Sequence, residues 1–208
     1  MLRHSFEIEE QQEPKALPPT PAARHIVRVT DSIRQIGDNF WNVRGSFKVA
    51  GILDIGTQMS LAGLRTGGFA LLDSYAAEDA VMREILELTD GGRHVTAVIN
   101  LHPFHTLHVS STAKAFPDAR LFGTRRHVRR EPSLRWETVH SEDPELNGLF
   151  GEDFYFSVPR GVDLVPQNEH LHFSSVLAFH KQSRTLHVDD TLTFANLPLV
   201  GGLRFHPS

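Results

Sequence analysis

The 208-residue chain contains no cysteine. That absence removes disulfides, thiolate metal ligands and a cysteine nucleophile together, so any transition metal would rest on histidine nitrogen and carboxylate oxygen. A dominant charge of one sign is lacking too: 21 basic against 25 acidic residues leave a formal charge of -4 with histidine neutral. Nothing in that balance favours nucleic acid or an anionic membrane as a partner. No apolar run approaches the ~18 residues of a membrane span, and the opening MLRHSFEIEEQQEPK has no apolar signal-peptide core. A cytoplasmic protein is the expectation. No internal repeat of fixed period is visible.

What is present is ordinary for a globular domain, with 40% hydrophobic and 22% charged residues, apart from histidine. Thirteen histidines make the real charge move between about pH 5 and 8. Residues 1–23, with ALPPTPAAR, read as a mobile arm. Residues 24–208 are long enough for a single domain with one sizeable core.

Short β-like runs follow: HIVRV, FWNVRGSFKV and Ile52 to Ile55, set apart by turn residues. Met59 to Leu64 is ambiguous. Gly67-Gly68 turns into FALLDS, a buried strand stopping at Asp73. Residues 76–89 have the helical spacing of Val81, Ile85 and Leu86, and Asp90-Gly91-Gly92 ends them. With the strand HVTAVI behind it, this predicts a βαβ unit with a parallel pair. Ser110 to Phe116 reads as a helix and ARLFG as a further strand. Residues 124–131 concentrate Arg125, Arg126, Arg129 and Arg130 around His127, either a solvated segment or a basic lip for an anionic substrate. Residues 140–153 read as an acidic loop. The runs FYFSV, VDLV, HLHFSSVLAFH and TLHVDDTLTF are β-like, with a hairpin turn over 181–184.

The chain centres on HVTAVINLHPFHTLH, where a buried strand empties into His102, His105 and His108. In open α/β sheets ligands bind at the carboxyl ends of strands, so imidazoles released there form a candidate metal site. Continued as a helix, the three would spread over roughly 120° of its surface, near enough to share one ion. The alternative is that they are ordinary surface or core histidines.

From Asn39 to Asp190 the succession DNFWNVRG, GGFALLDSYAAEDAVMREILEL, HVTAVINLHPFHTLHVSSTAKAFPDARLFG and SSVLAFHKQSRTLHVDDTLTF resembles the metallo-β-lactamase fold superfamily. The resemblance implies an α/β protein, a four-layered αββα sandwich with metal at one edge between its two sheets. It places His102 at the first motif histidine, with His105 and His108 near the remaining motif positions. His172, with His170 as rival, stands at the later histidine, Asp190 at the aspartate of the late hairpin, and His206 is a candidate last histidine. Asp73 matches a supporting carboxylate. The aspartate that the family carries inside the histidine motif is missing, and Asp73 and Asp189 are candidates to replace it in catalysis.

The implied function is a metal-dependent hydrolase acting on a small-molecule ester, amide or phosphoester. It would hold one or two ions, Zn or Fe, on His102, His105, His108, His172 and Asp190. Such an ion lowers the pKa of bound water from about 15.7 towards 7. Rival expectations are a non-catalytic member of the fold with a decayed metal site and, from the arginines alone, a nuclease. A homodimer that supplies missing second-half elements is a further expectation.

Overall fold

Alternation of side chains builds the first layer. Successive residues of a strand point to opposite faces, so in β6 (Phe69–Leu72) Ala70 and Leu72 enter one apolar cluster and Leu71 the other. A strand buried on both faces in this way must lie inside a sheet covered on both sides. The computed structural model describes residues 31–49, 53–54, 56–168 and 173–192. It shows that sheet to be six-stranded.

Its strands are β1 (Ser32–Gly37), β2 (Phe40–Gly45), β5 (Thr57–Gly63), β6, β7 (Val95–Ile99) and β8 (Arg120–Phe122), hydrogen-bonded in that order. The first four pair antiparallel, whereas β6, β7 and β8 run parallel. A small separate ladder joins β3 (Lys48–Val49) and β4 (Leu53–Asp54). The expected run FWNVRGSFKV is therefore broken after Gly45, and the ambiguous segment from Met59 lies in β5, between β2 and β6. The run HIVRV and the expected arm over 1–23 lie outside the described residues.

The expected βαβ unit is present. Helix α1 (Asp79–Leu88) crosses from β6 to β7 and buries Val81 and Ile85. It starts three residues later than its apolar periodicity suggests, where the carboxylate of Asp31 accepts the backbone N–H of Glu78 at 2.6 Å. Asp90, Gly91 and Gly92, all at positive φ, end it, a conformation that glycine adopts without penalty. After β7 come α2 (Val109–Ala115), β8, α3 (Arg125–Arg130) and α4 (Leu146–Phe150). Helix α4 corrects the reading of residues 140–153 as loop throughout: Leu146 and Phe150 supply the buried face that the acids beside them obscure.

A second sheet, β9 (Phe154–Ser157), β10 (Leu177–His180) and β11 (Thr185–His187), pairs antiparallel in the order β11-β10-β9. The run VDLV forms no strand, and among the described residues of TLHVDDTLTF only Thr185–His187 form one. Between the sheets, Phe40, Ala62, Leu72, Ile99 and Phe122 meet Phe154, Phe156 and Ala178. On the other face of the large sheet Met59, Leu61, Leu71 and Val98 pack against α1 and Phe116. The described residues thus build a helix layer and two facing sheets, three of the four expected layers.

His180 joins the two sheets. Its Nε2 lies 3.0 Å from the carbonyl of Gly63 at the end of β5, and its Nδ1 2.7 Å from Ser183 Oγ. Burial lowers its pKa, which keeps the ring neutral among Phe40 and Phe154. Both described histidines of this sheet, His180 and His187, are buried.

Candidate metal centre

Parallel strands release their chains at one edge, so β6, β7 and β8 end side by side. Each ends in a buried polar residue. Asp73 follows β6, Asn100 follows β7 and Thr124 lies just beyond β8. Asn100 binds both neighbours: its Oδ1 accepts the hydroxyl of Ser74 at 2.7 Å, and its Nδ2 donates to the carbonyl of Phe122 at 3.0 Å.

Asp73 organises what comes next. It is 2% exposed, with a φ of 61°, a left-handed conformation that non-glycine residues rarely adopt. Strain of this kind persists where surrounding contacts over-determine it. Here Oδ1 accepts the backbone N–H groups of Leu101 at 2.7 Å and His102 at 3.1 Å, and Oδ2 lies 3.0 Å from His187 Nε2. Residues 101–108 form no helix, and Pro103 biases His102 before it away from the helical backbone region. Burial alone would raise this carboxyl, but the hydrogen bond and charge of His187 and the Leu101 N–H hold it well below the usual carboxylate range. His187 Nδ1 in turn meets Ser60 Oγ of β5 at 2.9 Å. The chain Ser60, His187, Asp73, Leu101 therefore fastens β5, β11 and β6 to the histidine loop.

The loop presents His102 and His105 with their rings 4.0 Å apart. Both Nε2 atoms lie 3.5 Å from one oxygen, Oδ2 of Asp190, and His105 Nδ1 lies 2.6 Å from Asp189 Oδ2. His102, His105 and Asp189 each offer a ligand atom within 4.8 Å of the others. Donors held about 2.0–2.1 Å from one tetrahedral ion stand roughly 3.4 Å apart, close to the 3.5 Å from each Nε2 to Asp190 Oδ2, so the two histidines and Asp190 fit one ion. Burial would lower the pKa of His105, yet the hydrogen bonds its ring donates to Asp189 and Asp190 raise it to about 10. The metal-free site thus holds an imidazolium clamped between two carboxylates. Burial pushes the Asp189 carboxyl up, and the charge of Asp73 adds to it.

His108 lies outside that group. It occupies the N-cap of α2 with its ring edge-on to Tyr75, 5.3 Å between centroids, and burial lowers its pKa. It lines a cavity of about 580 Å³ together with His105, Asp189 and Asp190. His172, His170 and His206 lie outside the described residues.

The arginine cluster is not a lip of this cavity. Arg125 pairs with Glu142 and Asp143, while Arg126 is buried, donates to the carbonyl of Pro103 at 3.0 Å and lies 4.0 Å above the Phe104 ring. His127 caps α3: its Nδ1 sits 3.1 Å from the Thr124 N–H and 2.9 Å from its hydroxyl. Burial lowers its pKa to about 4. Sequence reasoning missed His187 and His127 as structural hubs. Alternation along β11, which turns His187 inward with its partner Ala178, was the available signal for the first.

No protein-family model and no curated protein matches the sequence. Solved structures do resemble the fold. A DIM-1 metallo-β-lactamase exposed to ceftazidime superposes with a TM-score of 0.52 at 13% identity, over 76% of this chain and 68% of the other. A 1–254 fragment of a diflavin flavoprotein from Nostoc gives 0.50 at 13% identity over 76% and 65%. A metallo-β-lactamase from Erythrobacter litoralis with β-mercaptoethanol in its active site gives 0.50 at 13% identity over 72% and 66%. The chain spans about two thirds of the length of these structures. With a helix layer, two facing sheets and a histidine loop at the carboxyl edge of the parallel strands, it has the metallo-β-lactamase fold.

Proposed function

We propose that the protein is a metal-dependent hydrolase of a small molecule, holding one zinc or iron ion through His102 Nε2, His105 Nε2 and Asp190. The observation that carries this reading is the convergence of both imidazoles on Asp190 Oδ2 at 3.5 Å. When bound, such an ion supplies Lewis acidity, which acidifies water and polarises the ester, amide or phosphoester oxygen under attack.

The chain's own residues supply the rest. Asp189 accepts a hydrogen bond from His105 Nδ1 at 2.6 Å, which fixes the tautomer that exposes the Nε2 lone pair, as carboxylates behind ligating histidines do. Ligation through His102 Nε2 needs its Nδ1 protonated, so the long 3.3 Å contact from the Phe104 N–H opens. Asp73 orients the loop through the Leu101 and His102 amides. With three protein ligands one coordination position remains for water or substrate.

The test is elemental analysis of protein purified without a histidine tag, beside His105→Ala and Asp190→Ala, followed by an aryl-ester assay. About one equivalent of zinc or iron in the parent, lost with turnover in both variants, is the expected result. A parent that stays empty when zinc and iron are added back overturns the reading.

A further inference from the structure

We propose that the 580 Å³ cavity beside the histidine loop takes an amphiphilic anion, a ligand with an apolar body and a carboxylate head, and that Arg44 reads the head. As a statement about substrate this rests on the hydrolase reading; as a statement about binding it stands on the cavity.

The volume falls in the range of small-ligand sites, about 300–1,000 Å³. Its wall is apolar where water reaches it. Leu107 is 72% exposed, Leu192 65% and Phe47 40%, and all three border this cavity with Phe104 and Val188. Large apolar side chains gathered in water around one opening mark a place where an apolar partner is buried. Part of the wall is held in shape, because the Arg126 guanidinium lies beneath Phe104 and ties down the carbonyl of Pro103.

Among the described residues, Arg44 is the one arginine or lysine bordering the cavity. It projects from β2, where it is exposed and opposite Gln58. Its Nε donates to the amide oxygen of Asn42 at 3.0 Å, and it has no ion pair among the described residues. Four exposed arginines elsewhere are ion-paired, Arg65 with Glu152, Arg93 with Asp90, Arg120 with Glu137 and Arg125 with Glu142 and Asp143, while others such as Arg34 and Arg83 are exposed but do not border the cavity. The acids that share the cavity, Asp189 and Asp190, are engaged with His105. A guanidinium anchored at Nε beside apolar surface presents its remaining N–H groups in the fork that matches a carboxylate. A single cation suits one monoanionic head.

The experiment is calorimetric titration of the full chain, as purified, with octanoate and with octanamide, which share a chain length but differ in charge. The parent should bind octanoate about tenfold more tightly than octanamide, the worth of a charge-assisted hydrogen bond. Arg44→Gln should remove that preference and leave octanamide affinity unchanged, Arg44→Lys should restore part of it, and Leu107→Ser should weaken both ligands equally. Equal affinity of the parent for both, or no binding of either, overturns the proposal. So does a preference that survives Arg44→Gln but disappears in His105→Ala, since the head would then sit on the metal site. Hydrolysis is read separately, with the mono-4-nitrophenyl ester of suberate against 4-nitrophenyl octanoate. Arg44→Gln should raise KM about tenfold for the first only. Absence of all ester turnover with the Arg44-dependent preference intact would sink the hydrolase reading and leave the binding site standing.

Discussion

Replacing Asp73 by Asn tests whether its charge, rather than its shape, holds the histidine loop. Asparagine has nearly the same volume and tolerates the left-handed backbone that Asp73 adopts at φ 61°. The change therefore isolates the carboxylate. Three hydrogen bonds reach it, from Leu101 N, His102 N and His187 Nε2, and all are buried. A bond to a charged acceptor is worth about 1.5–3 kcal/mol against roughly 0.5–1.5 for a neutral one, so three of them lose about 3 kcal/mol together. In the variant His187 Nε2 faces an amide in place of the carboxylate. For a chain of this length about 3 kcal/mol lowers Tm by roughly 6–12 °C. Loosening the support behind ligands commonly costs 10–100-fold in metal affinity, and zinc affinity should fall on that scale. Differential scanning calorimetry and a competitive chelator titration read the two effects. A Tm within about 2 °C of the parent together with unchanged zinc affinity would refute the assignment of Asp73 as the organiser of the loop.

The raised pKa of His105 carries a definite sign. Its ion pair stabilises the metal-free fold fully below the ordinary histidine value of 6.5, and that contribution is lost as pH rises through about 10. Thermal melts of chelator-treated protein from pH 6 to 10.5 should show a decline that His105→Gln lacks; parallel curves would count against the clamp. In the core, Phe122 is fully buried and edge-on to Phe150 at 5.3 Å. Phe122→Ala should cost about 3–5 kcal/mol in denaturant unfolding, and a loss under about 1.5 kcal/mol would mean that the two sheets do not depend on this contact.

Periodicity is a local property, and where it was strong it located the elements. The spacing of Val81 and Ile85 and the apolar runs FALL and VTAVI contain the βαβ unit, and strand alternation with a crossover helix makes β6 and β7 parallel. From there the position of His102 and His105 at the carboxyl edge follows, because parallel strands end together. Weaker signals misled where composition and burial disagreed. The acids around Leu146 and Phe150 hid α4, and valines at 162 and 165 suggested a strand where 40% and 36% exposure leave them in solvent.

The site itself divides along the same line. That histidine and carboxylate must do any metal chemistry was determined by the sequence alone, since it has no cysteine, and so was the histidine loop's origin at a strand end. Which carboxylates meet which imidazoles was decided by tertiary structure. Asp189 and Asp190 stand more than eighty residues from His105, and only the docking of β11 beside β5 sets one at Nδ1 and the other at Nε2. His187 is likewise a plain strand residue until the two sheets close and bring Asp73 within 3.0 Å. Burial and proximity across the sandwich, which create these pairs and shift their pKa values, are properties of the packed chain and have no counterpart in the spacing of residues along it.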